Sequence, residues 1–190
     1  MSIFRKYIFF CLLLAMAAEA QGQAARSPFS SFGIGEPYGN ALINNQGMAG
    51  VGVSQPQYWF INNQNPALLV YNSINTSFQA GLIMDRRTIS SDTLSEKSQG
   101  GNMNYLVTAF PIKPGKWTTS VGLMPYTSVN YLLEYDDNVA GGTEKINVTE
   151  KGTGGLTQLY WSNGVRLTRE LAVGLKASYI FSSIVKGYTN

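Results

Sequence analysis

The chain has 190 residues, a formal net charge of +3 and only 13% charged residues. A length of this order allows one domain, and so sparse a charge gives neither nucleic acid nor an acidic partner a footprint. Histidine is absent, while there are 11 Tyr, 9 Phe and 20 Gly, a mix that favours β-structure with tight turns over helical bundles. Mean hydropathy is near zero, the average that alternating lipid-facing and lumen-facing residues of a membrane barrel also give.

Residues 1–20 read as a cleaved leader. Arg5 and Lys6 form a positive start, and Tyr7 to Ala18 an apolar run shorter than the roughly 20 residues a spanning helix needs. Ala18-Glu-Ala20 is an A-x-A cleavage site, so export and cleavage near Ala20 are expected. The single cysteine, Cys11, lies inside the apolar run with no lipobox before it. The mature chain then carries no thiol, and neither a disulfide framework nor a cysteine nucleophile.

Residues 21–71 form an irregular N-terminal segment. Isolated aromatics, Phe29 and Phe32, stand among Ser, Pro and Gly, which predicts extended chain with local turns. Residues 40–46 can make a short helix. The cluster Gly47, Gly50 and Gly52 allows close backbone approach; as a nucleotide loop it is a weak match, since no strand precedes it and no Lys-Ser/Thr follows. Tyr58, Trp59 and Phe60 come next, then Asn65-Pro66-Ala67, where Pro66 can open a helix at its first position.

From Ser73 the period becomes two, and residues 72–190 read as five strands. Ile74, Thr76, Phe78, Ala80, Leu82 and Met84 share the face of the first strand. Residues 85–101 read as a polar loop, and residues 102–112 as the second strand, with Met103, Tyr105, Val107 and Ala109 on one face. Lys113-Pro-Gly-Lys116 is a tight turn. The third strand runs through Trp117, Thr119, Val121, Leu123, Val129, Tyr131, Leu133 and Tyr135, all odd-numbered. Gly122 and Pro125 interrupt it, and proline in a ladder marks an edge, bulge or kink. A second polar loop at 136–145 precedes a fourth strand ending at Leu167 and, after the turn 168–170, a fifth at 171–182.

Short turns alternate with long polar loops, as between the two sides of an outer membrane. Trp117, Tyr131, Tyr135, Trp161, Tyr179 and Phe181 stand where interfacial aromatic girdles sit. The fold class expected is therefore all-β, a transmembrane antiparallel β-barrel with a hatch before it. A secreted β-sandwich shares the alternation but buries such a face against a second sheet.

Gly47-Met-Ala-Gly-Val-Gly-Val53, then Asn65-Pro-Ala67, then at once a first strand, resemble the FadL/TodX family of outer-membrane transporters. The resemblance implies that residues 21–71 plug the lumen, with Gly47, Gly50, Gly52, Asn65, Pro66 and Ala67 setting the hatch. It also implies that Gly122 and Pro125 bend the third strand to open a lateral path. It implies passive outer-membrane transport of a hydrophobic small molecule, such as a long-chain fatty acid or hydrocarbon. Phe29, Phe32, Tyr58, Trp59 and Phe60 are the candidate ligand contacts, and their alternative role is packing the plug on the wall. Its partners are outer-membrane lipid and the ligand, without nucleic acid, as a monomer of a Gram-negative outer membrane. The alternative is a FadL-like barrel serving as a secretion shuttle or an interaction protein. Five strands do not close a barrel, so a longer protein is expected. No catalytic residue, metal site or cofactor is expected: there is no His, no mature Cys and no nucleophile elbow.

Overall fold

A computed structural model describes residues 24–92, 94–138 and 145–189. The leader, its cleavage site near Ala20 and Cys11 lie outside the described residues. The chain is all-β, and every pairing between its strands is antiparallel. After a short strand β1 (Glu36–Pro37) come β2 (Ser77–Ser90), β3 (Ser95–Lys113), β4 (Trp117–Pro125) and β5 (Thr127–Asn138). They are followed by β6 (Lys145–Gly154), β7 (Leu156–Arg166), β8 (Ala172–Ser182) and β9 (Val185–Thr189). One sheet has the order β2-β3-β4-β7-β8, the other β1-β5-β6-β9. Both are open among the described residues, so the expectation of a barrel reduces here to open antiparallel sheets.

Two expectations about loops are corrected. Residues 85–101 are not a loop: from Leu82 and Met103, β2 and β3 stay paired out to Ser90 and Ser95. Their polarity misled because strand pairing satisfies the backbone whatever the side chains, and apolar alternation marks only strands with a buried or lipid-facing side. The loop at 136–145 shortens likewise, since β5 runs to Asn138 and β6 begins at Lys145.

The third strand is two strands in two sheets. β4 ends at Pro125, β5 starts at Thr127, and β5 pairs with β6 rather than with β3. The face flips at this break. Thr118, Ser120 and Met124 are buried before it, Thr127, Val129 and Tyr131 after it. Tyr131 therefore cannot belong to the girdle with Trp117, because the break consumes one residue of the two-residue period. The neighbouring strands break at the same level, at Gly154-Gly155 (φ 116 and 150) and at Ser183-Ile184. Ser183 N–H donates to Gly155 O at 3.0 Å and Tyr126 N–H to Leu156 O at 2.7 Å, tying the three breaks into one line.

β3 does not break, but it carries a bulge. Gly81 pairs with Tyr105 and Leu82 with Met103, leaving Asn104 extra. Met103 is thereby turned to the face opposite Tyr105, Val107 and Ala109, which are buried. In the first sheet one face is bare and apolar: Phe78, Leu82, Met84, Leu106, Trp117, Val121, Leu159, Trp161, Leu175 and Tyr179 are exposed there. The row Ala80, Leu106, Leu123, Leu159 and Tyr179 runs in register across all five strands. The other face is covered by residues 24–72, with Leu42, Ile61 and Leu69 packing on Tyr105, Val107, Ala109, Met124 and Tyr160.

Candidate functional site

The site with most chemistry in it is the contact between the N-terminal segment and the covered face of the sheets. It has a fixed end and a strapped end. The fixed end is built from Asn65, Pro66 and Ala67. Asn65 is in the β region before a 3-10 helix (Pro66–Tyr71), with its Oδ1 accepting Ala67 N–H at 3.1 Å. Pro66 has no N–H to satisfy at this first position. Asn65 Nδ2 also donates to Val53 O at 2.8 Å, fastening the glycine-rich loop to the helix start.

The helix start is seated on glycine. Gly164 of β7 and Gly174 of β8 are register partners, and a Cβ on either would strike it. At Gly164 the Cβ would stand 2.4 Å from Pro66 O, and at Gly174 2.2 Å from Ala67 N. Two absent side chains therefore make the notch that takes the Asn-Pro-Ala turn.

Amide side chains organise the loop above it. Asn62 Nδ2 donates to Gly52 O at 2.6 Å, while its Oδ1 accepts from Gln64 N–H and Asn65 N–H at 2.9 and 3.0 Å. Asn45 Nδ2 donates to Val51 O at 3.0 Å. Gly52 leaves room for Asn45, whose amide would lie 1.8 Å from a Cβ there. Gly50 is at φ 81, in the left-handed region, and Gly47 caps the helical turn Ile43–Gln46. One cation joins this cluster to the wall: Lys176 Nζ donates to Asn63 Oδ1 at 2.8 Å and lies 4.4 Å from the centre of the Tyr160 ring.

The strapped end runs along β5. Ser27 N–H donates to Asn130 O at 2.8 Å, Asn130 N–H to Ser30 Oγ at 3.1 Å, and Tyr38 N–H to Tyr126 O at 2.9 Å. Glu36 and Pro37, as β1, pair with Ser128 and Thr127. On the opposite side Arg26 N–H donates to Ser98 Oγ of β3 at 2.6 Å, and Ala25 N–H to Asp85 Oδ1 of β2 at 3.2 Å. Glu36 accepts from Ser27 Oγ and pairs with Arg87. Burial works to raise the Glu36 carboxyl, but the hydrogen bonds from Ser27 and Arg87 and the charge of Arg87 outweigh it and hold it below its ordinary value. The strap thus links the two sheets where β5 parts from β3.

The five aromatics proposed as ligand contacts stand at the surface of the described residues. Phe29, Phe32, Tyr58, Trp59 and Phe60 are 46–78% exposed. Phe29 and Phe32 stand on the strap, and Tyr58 makes an edge contact with Tyr71 at 5.9 Å. Gly122 is inside the unbroken β4–β7 ladder, across from Tyr160, while Pro125 is at the break itself. Near Pro125 is a cavity of about 520 Å³, lined among others by Ala24, Asn102, Thr127, Gly155 and Val185. The glycines that matter most, Gly164 and Gly174, were missed in the sequence. No local signal marks them, because an inward-facing glycine in a strand says nothing of what lies above it.

Among the described residues no group of three or more His, Cys, Asp or Glu is placed to hold a metal ion. The family model BamG matches residues 3–189, nearly the whole chain. The chain belongs to the BamG family. No curated protein and no solved structure matches it. This overturns the FadL/TodX resemblance, and with it the transport of fatty acids or hydrocarbons. The short motifs behind that resemblance, a glycine-rich loop and Asn-Pro-Ala, serve here to build and seat an N-terminal segment, a task independent of any transported ligand. BamG membership associates the chain with the outer membrane of Gram-negative bacteria and with a protein partner.

Proposed function

We propose that this BamG-family chain is a protein-binding accessory of the BAM complex, the barrel-assembly machinery of the outer membrane, with a structural rather than catalytic role. The observation that carries this reading is the BamG match along residues 3–189. In this reading the leader is removed near Ala20 and the strands form part of a membrane barrel wall. The bare face of the first sheet supports that placement: Met84 is 90% exposed and Leu175 74%, and an apolar face this continuous is costly to leave in water. The covered face supports a filled interior. Residues 24–72 occupy it as a plug whose set is fixed by Gly47, Gly50, Gly52 and the Asn65-Pro66-Ala67 seat, with Tyr105 and Tyr160 buried beneath. A filled interior suits a scaffold that presents its rim to another protein.

The test is affinity purification of the tagged chain from outer membranes, combined with its depletion. BAM subunits co-purify, and depletion lowers the amounts of several unrelated outer-membrane barrels together. Absence of BAM subunits from the purified material, with unchanged barrel levels on depletion, overturns the reading.

A further inference from the structure

The wall is interrupted at one level. Leu106 pairs with Leu123, so the extra residue of the β3 bulge, Asn104, comes level with Pro125. The breaks at Gly154-Gly155 and Ser183-Ile184 complete the line. On one side of it β2, β3, β4, β7 and β8 form a continuous ladder. On the other side the wall is in two pieces. One is the outer hairpin, residues 82–103, and the other is the ribbon of β5, β6 and β9. β3 pairs with β4 through residues 106–113 and does not pair with β5, so no ladder joins hairpin to ribbon.

Residues 24–38 bridge the two pieces, and they hold each in a different way. On the inner face of the hairpin the strap is held by side chains. Asp85 Oδ1 and Ser98 Oγ accept from Ala25 and Arg26 N–H, and Arg87 pairs with Glu36. On the ribbon it is held mostly by the backbone of β5, at Tyr126, at Asn130 and in the β1 pairing. Thr127 Oγ1 adds a bond to Ile34 O at 2.7 Å. These contacts are polar, and no residue of the strap belongs to the apolar cluster that seats Leu42, Ile61 and Leu69. A segment with few buried apolar contacts opens ahead of the packed core beside it. The strap meets the seated part at Gly39, which is exposed and has open space where a Cβ would stand. Such a position can absorb the backbone rotation of a hinge.

We propose that residues 24–38 are a latch on a split wall. Docked, they tie the outer hairpin to the β5–β6–β9 ribbon; released, they let the two pieces part about the line of breaks, while residues 40–72 stay seated on the first sheet. The cavity of about 520 Å³ at Pro125 lies at the root of this split, with Asn102 from the hairpin, Thr127 and Val185 from the ribbon and Ala24 from the strap in its lining. Release of the latch therefore widens an existing opening rather than making a new one. The inference goes beyond the association with the BAM complex, and the presence or absence of BAM subunits does not bear on it.

The experiment measures the separation of hairpin and ribbon with paired spin labels at the exposed Lys97 and Lys151, in the full chain in outer membranes. A second pair, at Lys113 and Leu175, reports on the first sheet. Arg87→Ala frees the hairpin from the strap. Gly35→Ala frees the ribbon, because Gly35 is at φ 92 and a Cβ there would strike Ser128 O and the Val129 side chain. The two substitutions act on opposite pieces, yet each is expected to shift the Lys97–Lys151 distances to longer values by a similar amount. Together they should add little more, since one latch is lost either way. The Lys113–Leu175 distances stay as they are. Hydrogen exchange of the unsubstituted chain is the second measurement: residues 24–38 should exchange as one unit, at least several-fold faster than residues 40–72. An unchanged Lys97–Lys151 separation in either variant, movement of both label pairs together, or exchange of the strap in step with residues 40–72 each overturns the inference.

Discussion

Gly122 lies directly across the β4–β7 ladder from Tyr160, and the tyrosine ring covers it so closely that a Cβ there would stand 2.5 Å from the ring. The same pairing recurs at Gly81 with Tyr105 and at Gly152 with Tyr131. In each case a buried tyrosine lies over its register partner, which fills the space above a glycine and restores packing that glycine alone lacks. Tyr105 also accepts Ile43 N–H at 3.3 Å, so one of these rings carries a contact to the N-terminal segment.

Substituting Gly122→Val tests the pair. The added atoms displace the Tyr160 ring into Met124 and the core above it, an overpacking cost of roughly 1–3 kcal/mol. Denaturant unfolding in detergent should show a lowered midpoint. The double variant Gly122→Val with Tyr160→Ala should lose less than the sum of the two single substitutions, because the clash is gone. An unchanged midpoint for the single variant would mean that the ring can move away freely.

Gly164→Ala and Gly174→Ala strike backbone rather than a side chain. Pro66 and Ala67 cannot swing away as a ring can, so each substitution should lift the Asn-Pro-Ala turn off the wall. The expected readout is faster proteolysis within residues 40–72, with the strand core still resistant. Because both glycines face one turn, the effects of the two substitutions should fall well short of additive.

Asn65 has two separable tasks. Asn65→Asp keeps the oxygen that accepts Ala67 N–H but loses the donor to Val53 O. Asn65→Ala loses both, at about 1–2 kcal/mol for the cap alone. Thermal unfolding should rank native above Asp above Ala. If Asp and Ala coincide, the cap contributes nothing and the tie to Val53 carries the effect.

The strap is acid-labile by the sign of its carboxylate. Glu36 is held below its ordinary value of 4.5, so the folded state favours the ionised form more than the unfolded chain does. Its contribution is fully present above that ordinary value and is lost as pH falls through the folded value below it. Hydrogen exchange at Ser27 and Asn130 should accelerate relative to the β7–β8 core as pH drops below about 4.5. Glu36→Gln should show the faster relative exchange at neutral pH and remove the acid step.

How much of this was legible in the sequence depends on the distance over which each feature is decided. The alternation of Phe78, Leu82 and Met84, and of Leu171 to Phe181, fixed strand identity, because successive side chains on a strand point to opposite faces regardless of its partner. The turn at 113–116 and the chain break at Pro125 were legible for equally local reasons: proline removes a donor, and Gly115 sits at φ 70. The absence of histidine was also plain in the residues themselves.

Tertiary structure alone decided the rest. Residues 85–101 are strand because β2 and β3 satisfy each other's backbone, a pairing their polar side chains do not advertise. Tyr131 faces inward rather than outward because one residue is spent at a break, and a period of two turns a single-residue slip into a change of face. Gly164 and Gly174 became a seat only when Pro66, about a hundred residues away in sequence, was laid on them. A strand sequence encodes its own periodicity. What rests on its glycines, and which of its edges stays unpaired, is settled by chain that arrives from elsewhere.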